Sequence, residues 1–334
     1  MLEQYNCCLV TGGLGFIGKH LVEALLKLNK KVLILTKLNS HCLEPLPDGA
    51  KLIVADIRNF SQLVAAVKES DIIFHVAANI NTTRSVEDPR FDFEVNALGT
   101  FNILETAIRI GARRLVYVSS AAVYGRPQRF PLDEEHPTRP FLPYGASKLS
   151  GELSCLSFSQ SQGLPVVIGR PFCVYGPGEN PKRTMIEVSR YLRWHLNGQS
   201  IRIIGDARVK TRDFVHVDDV VSALLLLAEK GENGEAYNIG SGEEVSMSGL
   251  VDLIGSATGR HAIIEENRYV TEDSYRLVAD ISKLKSLGYQ PTVSLWQGIE
   301  KLVEELGERP DLPSVPTRFK VEQLDELKSM GEFV

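Results

Sequence analysis

The chain alternates short apolar runs with longer segments in which apolar residues return every three or four positions. The runs Cys7–Val10, Lys31–Leu35, Leu52–Val54, Ile72–Val76, Leu115–Ser119 and Val166–Ile168 are rich in Val, Ile and Leu without strict alternation, as expected of strands covered on both faces. Between them, Ile17–Leu28, Ser61–Glu69, Phe93–Ile110 and Tyr144–Gln162 read as helices. Strand–helix alternation predicts an α/β fold with a parallel, doubly wound sheet. After Arg170 the texture changes: Pro171, Gly176, Pro177, Gly178 and Pro181 mark a loop. Shorter elements follow, among them a buried helix at Val220–Ala228. The expected organisation is a domain over 1–173 to which later segments return, a smaller lobe over 174–306, and a charged, proline-containing tail over 307–334.

With 334 residues and 43% hydrophobic composition the chain can bury a large core. Its formal net charge of -5 gives no overall attraction to nucleic acid or an anionic membrane, although a local basic pocket for a phosphorylated ligand remains open. The cysteines Cys7, Cys8, Cys42, Cys155 and Cys173 form no Cys-x-x-Cys pair and no cluster with zinc spacing, so no metal is expected. Their odd number and scatter point to free thiols in a reducing compartment. Cys7 and Cys8, adjacent in a strand, should face opposite ways. No stretch approaches the ~20 apolar residues of a membrane span, and a cytoplasmic location is the expectation.

The stretch Leu9-Val10-Thr11-Gly12-Gly13-Leu14-Gly15-Phe16-Ile17-Gly18 ends the first strand and opens the first helix. Glycines here permit a tight turn, a close backbone approach to a pyrophosphate, and packing of helix on strand, with the phosphates at the positive end of the helix dipole. This is a Rossmann-type dinucleotide loop, and Gly12, Gly15, Phe16, Ile17 and Gly18 are its candidate contacts. Asp56, after the third strand, is placed either to accept from an adenine amino group or to cap the next helix. Ala77 and Ala78 end the fourth strand with small side chains along which a cofactor can lie. The cofactor is then NAD or NADP. A carboxylate at the end of the second strand would hold the ribose of NAD, but Thr36 and Lys37 stand there, which tilts the expectation toward NADP.

Tyr144 and Lys148 are four apart at the start of a predicted helix and project together. A tyrosine of pKa ~10 is a weak base at neutral pH, and a neighbouring ammonium is expected to lower that value. Tyr144 would then exchange a proton with a substrate oxygen while hydride moves to or from a nicotinamide, and Lys148 reaches the nicotinamide ribose. Ser120, at the end of the fifth strand, is preferred to Ser119 as the second hydroxyl at that oxygen.

The glycine loop, Asn96 in Val95-Asn96-Ala97-Leu98-Gly99-Thr100, Ser120 in Ser119-Ser120-Ala121-Ala122-Val123-Tyr124-Gly125, and Tyr144 with Lys148 resemble the extended short-chain dehydrogenases, specifically the NDP-sugar epimerase/dehydratase group. The resemblance spans about Cys7 to Leu302. It implies that Ser120, Tyr144 and Lys148 are catalytic, that Asp56 and Ile57 contact adenine, that Asn96 lies in the cofactor half, and that Phe93–Ile110 and Tyr144–Gln162 form a homodimer interface.

Arg170-Pro171-Phe172-Cys173-Val174-Tyr175-Gly176-Pro177 is similar to a family segment that contacts the sugar nucleotide, with Cys173 where asparagine is usual. Thr211-Arg212-Asp213-Phe214-Val215-His216-Val217-Asp218-Asp219 looks like the family's nucleotide-sugar clamp. The Arg212 fork suits a diphosphate, with Asp213 expected to orient it. Arg268 is a second phosphate candidate and Arg276 its competitor. Tyr237–Gly242 reads as a strand and turn of the smaller lobe. Family dehydratases carry an Asp-Glu pair after the catalytic hydroxyl residue, and here Ala121 and Ala122 replace it, which speaks against dehydration. The expected substrate is a nucleotide-diphosphate sugar and the preferred reaction is C4 epimerisation through a transient 4-keto sugar. The alternatives are an NADPH-dependent 4-keto-sugar reductase, a hydroxysteroid-type dehydrogenase, and a non-catalytic NADP sensor.

Overall fold

A computed structural model describes residues 2–37, 46–181, 186–267 and 275–313. The first half runs β1 (Cys7–Thr11), α1 (Phe16–Lys27), β2 (Lys31–Thr36), β3 (Ala50–Val54), α2 (Phe60–Ala66), β4 (Ile72–His75), α3 (Thr82–Glu87), α4 (Pro89–Phe93), a π turn (Glu94–Leu98), α5 (Gly99–Arg109), β5 (Arg114–Val118), a 3₁₀ turn (Ala121–Tyr124), α6 (Pro143–Gln162) and β6 (Val166–Pro171). The second half runs β7 (Cys173–Tyr175), α7 (Glu187–Leu196), β8 (Ile201–Ile204), β9 (Thr211–Arg212), β10 (Phe214–His216), α8 (Val217–Lys230), β11 (Ala236–Ile239), β12 (Val245–Ser246), α9 (Met247–Thr258), β13 (Ile264–Asn267), β14 (Arg276–Leu277), α10 (Ser282–Ser286) and α11 (Leu295–Leu306).

The main sheet is seven-stranded, in the order β3-β2-β1-β4-β5-β6-β11, with every pairing parallel. This is the expected doubly wound α/β architecture. The chain leaves β1 toward β2 on one side and returns to β4 on the other, with Thr11 opposite His75. That reversal opens a crevice at the carboxyl ends of β1 and β4. Both sheet faces are buried, which explains the unbroken apolar runs. One core holds Cys8, Val10, Val32, Ile34, Phe74 and Val116 with α1 and α8. The other holds Leu9, Leu33, Leu35, Ile73, Leu115 and Tyr117 with α5 and α6. Cys8 packs in the first and Cys7 against the second, as alternation along a strand requires.

Two elements differ from the expectation. The predicted helix Phe93–Ile110 is instead α4, the π turn and α5. A π turn adds a residue to the helical circuit, and here it lies where Asn96 turns inward to bond the backbone of Asn79. Ala236–Ile239, assigned to the smaller lobe, is the edge strand of the main sheet, paired with β6 from Ala236↔Ile168 to Ile239↔Pro171. Its apolar positions resemble those of any short strand, so only long-range pairing assigns it. A third core, including Tyr191, Trp194, Ile201, Met247, Ile254 and Ile299, lies between α7, α9 and α11. Arg193 donates to the Asp311 carbonyl at 3.0 Å and Asn197 to that of Pro310 at 2.8 Å, tying the last described residues to α7. Among the described residues no helix is long and apolar enough to cross a membrane.

Candidate active site

The glycine loop lies at the mouth of the crevice. Gly12 has φ +68°, and a Cβ there would stand 2.8 Å from Ala77 Cα. A Cβ at Gly18 would come within 2.2 Å of the Gly12 carbonyl oxygen, so α1 can lie on the loop only with glycine there. Gly15 is different: a Cβ would meet only the Gly12 oxygen, at 3.1 Å, and its other side is open. Gly15 is also the N-cap of α1, with no side-chain cap and no acidic residue in the first turn. The N–H groups of the Phe16–Ile17 turn are therefore presented without a built-in anion. The site fits a pyrophosphate.

The floor of the crevice is a buried polar chain. The Thr11 hydroxyl accepts from the Val76 and Ala77 N–H groups, both at 3.1 Å. It therefore donates to His75 Nδ1, 2.7 Å away. His75 Nε2 then carries the proton and donates to Thr100 Oγ1 at 3.0 Å, which donates to the Asn96 carbonyl at 2.6 Å. Burial, aided by the Lys148 charge, lowers the His75 pKa to about 3, so the imidazole is neutral. Ala78 lines the strand end half-buried.

At the far side of the loop, Asn59 and not Asp56 caps α2. Asp56 is paired with Arg58, which holds its carboxyl below the usual range. Ile57 is buried against Gly99. Thr36 is largely buried and its hydroxyl lies 3.4 Å from the Lys37 carbonyl. The Lys37 ammonium lies 6.0 Å from the Phe91 ring centre and within electrostatic reach of Asp56.

On the other side, β5 delivers Ser120 and α6 delivers Tyr144 and Lys148. Pro143 at the first helical position suits the start of α6. Ser120 Oγ accepts from the Ala122 N–H at 3.2 Å and lies near enough to the Tyr144 phenol to act on its titration. The Ser119 hydroxyl is buried without a hydrogen-bond partner among the described residues. The expected lowering of the phenol pKa is not found. Burial pushes Tyr144 up to about 12, the Ser120 hydroxyl opposes this, and the Asp92 charge adds to it. The reason is the direction of Lys148. Its ammonium donates to the Val118 carbonyl at 2.6 Å and sits over the Tyr117 ring at 4.4 Å. Burial lowers its own pKa to about 8, opposed by Glu152, Cys155 and Asp92.

Sequence reasoning missed Asp92. It is fully buried and accepts from Asn79 Nδ2 at 2.6 Å, Asn96 Nδ2 at 3.2 Å and Ser147 Oγ at 2.5 Å. The available signal was its spacing of four from Asn96, which puts two polar groups on one helix face.

Farther along the chain, Cys173 and Arg212 are both buried. Arg212 Nη1 donates to the Thr211 and Tyr275 carbonyls at 2.9 and 2.8 Å, and its guanidinium lies 4.5 Å from the Tyr275 ring centre. Asp213 does not orient it. That carboxylate accepts from Ser241 N and Oγ, Gly242 N and Ala279 N, because neighbouring residues of an extended segment point apart. The acid beside Arg212 is Glu187, 4.0 Å away. Burial pushes the Glu187 carboxyl up, but Arg212, Lys210 and Arg190 outweigh it and hold it low. Cys173 stands within the field of the same groups, and burial pushes its thiol up. Arg276 is paired with Glu244 through two hydrogen bonds. Arg268 lies outside the described residues.

Residues 8–240 match the model of the NAD dependent epimerase/dehydratase family. The chain is 39% identical over 300 residues to a putative UDP-glucose 4-epimerase of Methanocaldococcus jannaschii, covering 88% of this chain and 96% of that one. It is 32% identical over 315 residues to dTDP-D-glucose 4,6-dehydratase of Mus musculus, covering 89% and 87%. Among solved structures, UDP-glucose 4-epimerase of Thermus thermophilus in complex with NAD superposes with a TM-score of 0.81 at 33% identity, over 89% of this chain and 98% of that one.

Proposed function

The chain belongs to the NAD-dependent epimerase/dehydratase family, and from that premise we propose that it inverts C4 of a nucleotide-diphosphate sugar, with a UDP-hexose as substrate. The observation that carries this reading is that Ser120 approaches the Tyr144 phenol at the crevice while the two residues directly after Ser120 are Ala121 and Ala122. A dehydratase must move further protons on the sugar, and two methyl groups at those positions cannot do so. The proton equipment present is enough for oxidising and reducing one carbinol carbon.

Gly12, Gly15, Phe16, Ile17 and Gly18 would hold the pyrophosphate of the dinucleotide, and Asp56, Ile57, Ala77, Ala78 and Asn96 would line its adenosine and nicotinamide halves. When bound, the dinucleotide serves as oxidant for C4 and then returns the electrons to the opposite face. Tyr144 takes the proton from the C4 hydroxyl and gives it back at the inverted centre. Ser120 bonds the same oxygen and keeps it within reach. Lys148, whose ammonium donates to the Val118 carbonyl beside β5, would hold the nicotinamide ribose, and an ammonium that lies near Tyr144 favours its phenolate. Arg212 binds the diphosphate, with Glu187 fixing its position in place of Asp213, and Cys173 borders the sugar.

For the cofactor we favour NAD. Thr36 and Lys37 suit a 2′-phosphate, but the family model that the chain matches is that of NAD dependent enzymes. The NAD-bound relative of similar sequence agrees with this choice. The dinucleotide domain is residues 1–173 with the returning α8 and β11, and the lobe within 174–306 takes the sugar nucleotide. We further read the protein as a homodimer joined through α5 and α6, and as cytoplasmic, supported by the free thiols of Cys7, Cys8, Cys155 and Cys173.

The test is incubation of the purified protein with UDP-glucose or UDP-galactose, followed by NMR of the sugar and absorbance of the reduced cofactor. The expected result is the same mixture of both sugars from either side with no net cofactor reduction. Stoichiometric oxidation of added NADPH would establish a reductase instead, and a 4-keto-6-deoxy product a dehydratase.

A further inference from the structure

Asp92 is buried completely, three segments converge on it, and neither the glycine loop nor the Ser120–Tyr144–Lys148 chemistry has a use for it. Its Oδ2 accepts from Ser147 at 2.5 Å. Ser147 lies between Tyr144 and Lys148 on α6, and its single hydroxyl proton goes to this carboxylate rather than to the Tyr144 carbonyl at 2.9 Å. Its Oδ1 accepts from Asn79 Nδ2 at 2.6 Å and from Asn96 Nδ2 at 3.2 Å. Asn96 in turn bonds both the N–H and the carbonyl of Asn79, at 2.8 and 3.0 Å. Asn79 follows Ala77 and Ala78 along the crevice floor. One carboxylate therefore joins the first turn of the catalytic helix to the strand end beside the dinucleotide.

The charge is as informative as the geometry. The hydrogen-bond partners of Asp92 among the described residues are all neutral: an asparagine pair and a serine. Burying a carboxylate on neutral donors is costly unless a cation lies within reach, and Lys148 is the cation whose charge Asp92 favours. Glu152 also faces Lys148, but Arg170 grips it with two hydrogen bonds at 2.9 and 2.7 Å.

We propose that Asp92 is a positioning residue for the reaction: through Ser147 and Asn79 it fixes Tyr144 and Lys148 relative to the dinucleotide. This rests on the chemistry proposed above. The groups facing Lys148 are Glu152 and Cys155 on α6, Asp92 on α4, Tyr117 on β5 and His75 on β4. Removing the Asp92 charge disfavours the ammonium, so Lys148 deprotonates at lower pH.

The experiment compares Asp92→Asn and Ser147→Ala with the parent holoenzyme, reading kcat, KM for UDP-glucose, the pH profile of kcat and the titration of Lys148 by NMR of ¹³Cε-lysine protein. Asp92→Asn should lower kcat at least about tenfold with KM little changed, and move the alkaline limb and the Lys148 titration to lower pH. Ser147→Ala keeps the charge and cuts the tie, so kcat should fall while Lys148 titrates as in the parent. Unchanged kcat in folded Asp92→Asn, or a loss of kcat without movement of the Lys148 titration, would overturn the proposal. Should Asp92→Asn not fold, an unaltered kcat in Ser147→Ala overturns it. A parent protein that interconverts no UDP-sugar would count against the epimerase reading, while the lysine titration, which needs no substrate, still decides this one.

Discussion

At the scale of single residues, two side chains carry opposite consequences of burial. Tyr144 is pushed up to about 12, so the phenol keeps its proton at neutral pH until the complete site lowers it. Replacing Tyr144 by Phe removes the proton carrier and little volume. Turnover should drop by about 10²–10⁴-fold while UDP-sugar affinity, measured calorimetrically, stays near that of the parent; undiminished turnover would refute the assignment. His75 is held neutral, with its pKa lowered to about 3. Between the unfolded value of about 6.5 and that folded value, the unfolded chain binds a proton that the native protein refuses, so stability falls as pH is lowered through this window. His195 and His216 are also lowered and act in the same sense, and His20 is raised and opposes them. The His75 share is therefore read as a difference. Denaturant titrations from pH 6 to pH 4 should show a pH slope shallower by up to about 1.4 kcal/mol per unit in His75→Gln than in the parent; equal slopes would contradict a neutral buried imidazole.

At the scale of elements, α6 is held from two sides. Asp92 ties its first turn to α4. Further along, Glu152 on α6 pairs with Arg170 on β6, and both side chains are almost fully enclosed, at 3% and 8% exposure. Arg170 also donates to the Tyr124 hydroxyl at 3.0 Å, which links the pair to the 3₁₀ turn following Ser120. Such a pair contributes modestly as a unit, but removing one partner strands a buried charge. Arg170→Met should cost about 3–5 kcal/mol in urea unfolding, and adding Glu152→Leu should recover part of the loss. A single substitution costing under about 1 kcal/mol would mean that water reaches Glu152.

At the scale of the whole molecule, the helices beside the site expose an apolar strip. Phe93, Leu98, Phe101 and Ile108 are 54%, 44%, 40% and 37% exposed on the segment from α4 to α5, and Leu153 is 59% exposed on α6. Phe101 meets Phe158 of α6 edge-on at 5.3 Å, so the two helices share this surface. Sedimentation should give twice the chain mass of 37.0 kDa, and Phe101→Glu with Leu153→Glu should give the single mass. A monomeric parent at micromolar concentration would remove the dimer reading.

The parallel sheet, the glycine turn between β1 and α1, the place of Tyr144 and Lys148 at the start of α6 and the alanines at 121 and 122 could all be read from the chain alone, because each depends on residues a few positions apart whose spacing already encodes a strand, a turn or a helix face. The π turn at Asn96, the place of Ala236–Ile239 in the main sheet, the Val118 carbonyl as the partner of Lys148, Glu187 rather than Asp213 beside Arg212, and the Asp92 junction could not. Each is a meeting of segments distant along the chain. Which partner wins is decided by burial and by where a single proton or charge finds its nearest complement, and only the folded arrangement supplies both.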